Sequence, residues 1–315
     1  MDTAELDFLK NVGLTIVDTI AKGGYGTIYL VRSDKYHSNF ALKKVPESMF
    51  NDSEIQCLKS LYDPNIVSLY QYFKFQGYLY LLLEYCPSDL NKLMMEKPEF
   101  TDEELYKYSY EVLHAIKACH ERNIAHSDIK PSNFLIDNYG RLKISDFGLS
   151  TLFENKQLCH VFKGTRMFMA PEIFSADQYN PLVADVWSIG VTLYYMATRT
   201  LPFYSNDQLS LQRMIEAGIY AEDEIHNLMF RKVVSRCLEV NVHKRATIPE
   251  LLEMPYFKQY NGENIGLNNN MHKSQYLAIK PRSKDSSIYK SHLAFNRGSS
   301  RIHLTNSRSL ETFVE

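Results

Sequence analysis

The hydrophobic period changes partway along the chain, and that change limits the fold more than any other feature. Over residues 14–84 the apolar residues fall in short β-prone runs, "LTIVDTI", "TIYLVR", "SNFALKKV", "NIVSLYQYFK" and "YLYLLLEY", each bounded by turn residues. One helical stretch interrupts them: in "SEIQCLKSL" Ile55, Leu58 and Leu61 are three apart behind Asp52 or Ser53 as cap. After Pro87 the period lengthens. In "DEELYKYSYEVLHAIKACHER" Leu105, Tyr108, Val112, Leu113 and Ile116 share one helical face, and "PLVADVWSIGVTLYYMA" and "LQRMIEAG" have the same spacing. The pattern predicts an α+β chain: a small sheet with one helix over 14–84, a connection at 84–87, and a larger helical body over 88–258. Residues 1–13 read as an N-terminal extension. From about residue 259 the periodicity stops and Ser, Asn, Lys and Arg prevail, so a flexible basic tail is expected over 259–315.

Composition removes several function classes. With 315 residues, 45% of them apolar, the chain can bury the cores of two lobes. Its 35 Lys and Arg against 37 Asp and Glu leave a formal charge of −2, so nothing calls for a nucleic-acid partner. Five cysteines without a CxxC pair suit reduced thiols, and a cytoplasmic or nuclear location is expected. The acidic start "MDTAELDFLK" does not resemble a secretion signal, and Asp2 stands where myristoylation needs glycine. No apolar run reaches the roughly 20 residues that span a bilayer, so no membrane partner is expected.

The glycine cluster "IAKGGYGTIYL" is a weak signal alone, because turns often explain glycine. Context narrows it. A dinucleotide fingerprint needs a helix after the last glycine, but Gly26 is followed by "TIYLV", and the GK[ST] of a Walker loop is absent. A strand, loop, strand hairpin over Ala21, Lys22, Gly23, Gly24, Tyr25 and Gly26 remains, able to lay backbone N–H groups over a triphosphate where a Cβ would block approach.

Further along stand "FALKKV" with Lys43, Glu54 at the start of a helix, "HSDIKPSN" with Asp128, Lys130 and Asn133, "ISDFGLS" with Asp146, "KGTRMFMAPE" with Thr165 and Glu172, "ADVWSIG" with Asp185 and "HKRAT" with Arg245. In this order and spacing they resemble the eukaryotic protein kinase family over roughly residues 14–258, of serine/threonine type and closest in general pattern to the calcium/calmodulin-dependent-like group. The resemblance implies a bilobal kinase fold and a serine/threonine kinase that moves the γ-phosphate of ATP with Mg2+ to protein hydroxyls. It implies that Lys43 holds the nucleotide phosphates with Glu54 fixing it, and that Asn133 and Asp146 are the Mg2+ ligands. Asp128 would orient the acceptor hydroxyl, steadied by Lys130 and Thr165. Ile28, Ala41 and Leu135 would sandwich adenine, Leu83 would be the gatekeeper, and Glu84, Tyr85 and Cys86 the hinge. Leu58, Leu69, His126 and Phe147 match the side chains stacked between the lobes, Asp185 the residue that binds the catalytic loop, and Arg245 the partner of Glu172. The alternative is a nucleotide-binding pseudokinase scaffold, which replacement of Lys43, Asp128, Asn133 or Asp146 would have favoured; all four stand.

The chain departs from the family pattern in places. Ala21 replaces the first loop glycine, Asp63 the histidine of the common turn, and the gap from Lys43 to Glu54 is short, with Glu47 as the fallback partner. Ser127 stands where many kinases carry an arginine that pairs with a loop phosphate. The stretch "FENKQLCHVFK" from Phe153 to Lys163 offers no Ser, Thr or Tyr to receive one, which leaves Ser150, Thr151 and Thr165 off-centre. Activity without central activation-loop phosphorylation is expected. Asp89 could meet a substrate arginine, cap a helix or contact the ribose, so the substrate expectation only leans toward basic motifs; "RGSS" in the tail makes Ser300 a candidate autophosphorylation site.

Overall fold

The computed structural model describes residues 2–23, 26–50, 52–152, 158–159 and 163–258, all within one compact unit. The expected basic tail and Ser300 lie outside these residues, as do Gly24 and Tyr25. Strands β1 (Leu14–Gly23), β2 (Gly26–Ser33), β3 (Ser38–Pro46), β4 (Leu69–Phe75) and β5 (Tyr78–Glu84) form an antiparallel sheet in the spatial order β1-β2-β3-β5-β4. Helix α2 (Asp52–Ser60) leaves the sheet after β3 and returns the chain toward β4. The segment 65–68, expected to open a strand, instead forms a turn stitched to the second lobe by Val67 N to Ile144 O.

Strand pairing runs through the glycine cluster. Ala21 opposes Ile28, Lys22 opposes Thr27 and Gly23 opposes Gly26, so the two strands stay paired as far as Gly23 and Gly26. Gly26 has φ +145°, and a Cβ there would lie 2.2 Å from Lys44 O. The glycine is therefore demanded by β3 as well as by any phosphate.

Residues 3–11, read from the sequence only as an extension, form helix α1 (Thr3–Asn11), started by a capping box between Asp2 and Glu5. Successive β3 side chains point to opposite faces. Lys44 and Leu42 share the face that α1 covers. There Leu9 is buried with Val31, Leu42 and Tyr80, and the Phe8 ring stacks on Phe75 at 4.3 Å. Buried Glu5 accepts a hydrogen bond from Tyr80 Oη at 2.6 Å and pairs with Lys44. Lys43 consequently faces the other way, toward the second lobe.

That lobe contains α3 (Leu90–Glu96), α4 (Asp102–His120), α5 (Pro171–Ser175), α6 (Pro181–Thr198), α7 (Gln208–Ala217), α8 (Leu228–Cys237), α9 (Ile248–Leu252) and α10 (Pro255–Lys258). Short strands β6 (Ser88–Asp89), β8 (Phe134–Ile136) and β9 (Leu142–Ile144) pair beneath the cleft, as do β7 (Ile124–Ala125) and β10 (Thr151–Leu152). The α4 face predicted from periodicity is buried throughout, behind a capping box at Thr101 and Glu104. Val112, Leu113, Ile116, Trp187, Ile189 and Val233 exclude all solvent, each side chain of this kind contributing about 1.5–3 kcal/mol on burial. The resulting core makes a rigid floor for the loops around 126–133 and 145–149.

Candidate active site

The loop after β7 is held from below by one buried carboxylate. Asp185 on α6 accepts from His126 N at 2.8 Å and Ser127 N at 2.9 Å, and its Oδ2 lies 3.0 Å from His120 Nε2. These bonds keep Ser127 at φ +67°, a left-handed conformation that costs a non-glycine residue about 1–2 kcal/mol. Its hydroxyl is buried without a hydrogen-bond partner. The His126 ring packs edge-on against Phe147 at 5.1 Å, with Nε2 2.9 Å from Ser145 O. Leu58, His126 and Phe147 are buried, and Leu69 packs against the same core.

The turn after Ser145 puts Asp146 at φ +62° and aims its carboxylate at β3. Lys43 Nζ lies 2.7 Å from Glu54 Oε1 and 2.9 Å from Asp146 Oδ1. Glu54 is 3% exposed, whereas Glu47 reaches only Lys74 at 3.9 Å, so the shorter connection still delivers Glu54 to the lysine. Burial works against the Lys43 charge, but Glu54 and Asp146 outweigh it and hold its pKa above the ordinary lysine value. Burial likewise raises the Asp146 pKa, and the Lys43 ammonium more than reverses that, leaving a carboxylate well prepared to stay ionised.

Asp128 is the centre of a second cluster. Lys130 Nζ lies 2.8 Å from its Oδ2, and Oδ1 accepts from Thr165 N at 3.0 Å and Thr165 Oγ1 at 2.8 Å. Lys130 also donates to Thr165 Oγ1 at 2.9 Å. Asn133 donates Nδ2 to Asp128 O at 2.8 Å and to Oδ2 at 3.2 Å, which leaves its carbonyl oxygen for another partner. One carboxylate and one amide oxygen, from Asp146 and Asn133, suit a hard cation whose remaining ligands are phosphate oxygens and water. No group of three or more His, Cys, Asp or Glu side chains able to hold a metal occurs among the described residues.

Ile28, Ala41, Leu83 and Leu135 are half-buried, and strand pairing sets Ala41 opposite Leu83 and Ile28 opposite Lys43. They form apolar cleft walls that the protein itself does not cover. Glu84 is pinned by its N–H to Ser68 O at 2.9 Å and by Lys143 Nζ at 3.1 Å. Burial pushes the half-buried Cys86 thiol up to about 12, so it remains protonated. Ala21, Lys22, Gly23 and Gly26 end the β1–β2 hairpin. Asp89 caps α3, accepting from Lys92 N at 2.9 Å and pairing with Lys92 Nζ at 3.6 Å, so its carboxylate is already engaged.

Two charges escaped the sequence reading, and one more has a contact that it did not foresee. Lys143, 4% exposed inside the apolar "LKI" of β9, anchors Glu84; a lysine amid a buried strand was the available signal. Lys163 reaches back to Leu149 O and Thr151 Oγ1, and only its place beside Gly164 hinted at this. Arg245 forms the expected two-pronged pair with Glu172, at 2.6 and 2.9 Å, but its position 5.2 Å over Trp187 was not foreseen.

Comparison with known proteins agrees with this geometry. The family model for the protein kinase domain matches residues 14–257. CBL-interacting serine/threonine-protein kinase 3 of Arabidopsis thaliana is 32% identical over 253 residues, 76% of this chain and 57% of that protein. CBL-interacting serine/threonine-protein kinase 12 of the same plant is 30% identical over 251 residues, 76% of this chain and 51% of the relative. The probable serine/threonine-protein kinase MARK-A of Dictyostelium discoideum is 30% identical over 254 residues, again 76% of this chain but 24% of its own length. The chain thus spans about half the length of the plant relatives it matches. A two-lobed fold, a lysine paired across the cleft and a matching family model together place this chain in the eukaryotic protein kinase family, of the serine/threonine type.

Proposed function

We propose that the chain is a serine/threonine protein kinase that transfers the γ-phosphate of ATP, with Mg2+, to protein hydroxyls. The observation that carries this reading is the Lys43 ammonium held between Glu54 and Asp146, residues 11 and 103 positions away along the chain. Bound ATP and Mg2+ would supply the phosphoryl group and the cation that neutralises its developing charge. Lys43 would bind the nucleotide phosphates, its rotamer fixed by Glu54. Asp146 and the Asn133 carbonyl would grip the cation. Asp128 would accept a hydrogen bond from the incoming hydroxyl and take its proton as the bond to the γ-phosphorus forms and the bond from that phosphorus to the ADP oxygen breaks, ADP departing as the leaving group, while Lys130 neutralises the transferred group. Thr165 would keep Asp128 and Lys130 in place. The half-buried apolar walls at Ile28, Ala41 and Leu135 would exclude water from the adenine side. Phosphate transfer to a generic protein, measured with wild type and Asp146→Asn side by side, tests the reading. An about hundredfold or greater loss is expected for the variant, the usual scale when a charge-stabilising group is removed. Nucleotide binding without transfer by the wild type would leave only a scaffold role.

Activation without a central loop phosphate belongs to the same proposal. Ser127 offers no charge to be neutralised. Residues 153–157 and 160–162 of the segment lie outside the described ones, but its end is braced by contacts of Lys163, Ser150 and Thr165. Lys163 holds Leu149 O and Thr151 Oγ1, Ser150 Oγ donates to His126 O at 3.3 Å, and Thr165 is committed to Asp128. Phosphatase treatment is expected to leave activity nearly unchanged. A large loss that maps to Ser150, Thr151 or Thr165 would overturn this part. A reducing, cytoplasmic or nuclear location is proposed as well: all five cysteines are free, and no described helix is long and apolar enough to cross a membrane.

A further inference from the structure

A groove of about 510 Å3 opens beside the catalytic cluster. Its near end is Lys130, whose Nζ is 2.8 Å from Asp128 Oδ2, so the groove is continuous with the place where an acceptor hydroxyl would sit. A polypeptide that presents its hydroxyl to Asp128 therefore has neighbouring residues at the mouth of this groove.

The charges of the groove are already spent. Lys130 is held by Asp128 and by Thr165 Oγ1 at 2.9 Å. Arg199, at the end of α6, donates to Lys97 O at 3.3 Å and to Met196 O, and its guanidinium lies 4.2 Å over the Phe100 ring. None of the lining residues is a carboxylate, and Asp89 is engaged by Lys92 outside these walls. A charged substrate side chain of either sign would give up water here without meeting a free counter-charge, which is unfavourable.

Most of the remaining lining is apolar. Met167, Tyr195 and Leu201 are half-buried and packed against the core of the second lobe, so they form firm walls, and Pro131 and Phe168 are buried in the same lining. Tyr204 is 60% exposed, and its hydroxyl donates to Asn206 Oδ1 at 3.0 Å, which fixes a largely uncovered ring. Apolar surface of this kind gains free energy when an apolar side chain removes it from water.

We propose that this groove takes a large apolar side chain, leucine, methionine or phenylalanine, standing a few residues from the acceptor hydroxyl of the protein substrate, with Met167, Tyr195, Leu201 and Tyr204 as the selecting residues. The inference rests on the kinase reading above for its acceptor, and it sets an apolar preference in place of the lean toward basic motifs.

The test uses the full chain and a peptide library with a fixed serine, in which each flanking position is set in turn to Leu, Phe, Ala, Asp or Arg. Leu or Phe at one or more positions is expected to raise kcat/KM about five- to twentyfold over Ala, the scale of a partly buried apolar side chain, while Asp and Arg at those positions do not exceed Ala. High salt should leave that gain in place, because no ion pair produces it. Leu201→Ser and Tyr204→Ala should each bring the Leu-to-Ala ratio toward one. Leu201 is half-buried and its loss could loosen the fold, whereas Tyr204 is largely exposed, so the second variant separates selection from stability. Ser132→Glu, at an exposed position of the lining, should add the missing anion and shift selection toward Arg. Anisotropy of labelled Leu and Ala peptides reads the groove without catalysis. Binding of the Leu peptide that depends on Tyr204, with no phosphate transfer, would sink the kinase reading and spare the groove. Active wild type that favours Arg or Asp, shows no flanking preference, or keeps its apolar preference in both wall variants would sink the groove and spare the kinase reading.

Discussion

At the residue scale, the left-handed Ser127 and the glycine opposite it form one device. Gly164 has φ +108°, and a Cβ there would lie 2.6 Å from Ser127 O. The end of the activation segment therefore rests directly on the catalytic loop backbone. Gly164→Ala adds both a clash with unyielding backbone and an unfavourable φ, together costing about 1–3 kcal/mol. The expected outcome is a lower Tm and a still larger fall in activity, because Thr165 and its bonds to Asp128 are the next residue along. A thermal melt beside a transfer assay checks both, and unchanged activity would show that the close approach does not matter.

At the element scale, α1 is a brace for β3 rather than an appendage. Glu5 joins the helix to Lys44, one residue from Lys43 and on the opposite face of the strand. Burial raises the Glu5 pKa, but Lys44, Tyr80 and the Asp2 N–H more than offset this and hold it below the ordinary value of 4.5. A lowered carboxylate pKa means stability that is present above pH 4.5 and is lost as pH falls through the lowered value. Glu5→Gln is thus expected to reduce Tm at pH 7, with the difference from wild type shrinking below pH 4.5. Melting curves at pH 7 and at several acid values check this, and a constant difference would show that the charge of Glu5 contributes nothing.

At the scale of the whole molecule, the second lobe depends on a buried pair that ties α5 to the loop before α9. Removing either Glu172 or Arg245 leaves a buried charge uncompensated, at about 3–5 kcal/mol, whereas removing both costs less than the sum. Urea denaturation of Glu172→Ala, Arg245→Ala and the double variant is expected to show that shortfall; additive losses would mean the pair is not coupled. The same contrast between local and distant determinants governs what the sequence disclosed. Strands β1 to β5 and helices α2, α4, α6 and α7 were legible because period two and period 3.6 are written in consecutive residues. The identities of Lys43, Asp128, Asn133, Asp146 and Thr165 were legible as ordered motifs. The choice of Glu54 over Glu47 for Lys43 was legible as well, from the helical spacing behind it; tertiary structure alone decided that α1 packs on the sheet through Glu5 and Lys44, that Lys143 anchors Glu84, and that Arg245 lies over Trp187. Each of those outcomes depends on which charges meet after residues tens of positions apart have packed, and Coulomb attraction follows distance in space, on which order along the chain is silent.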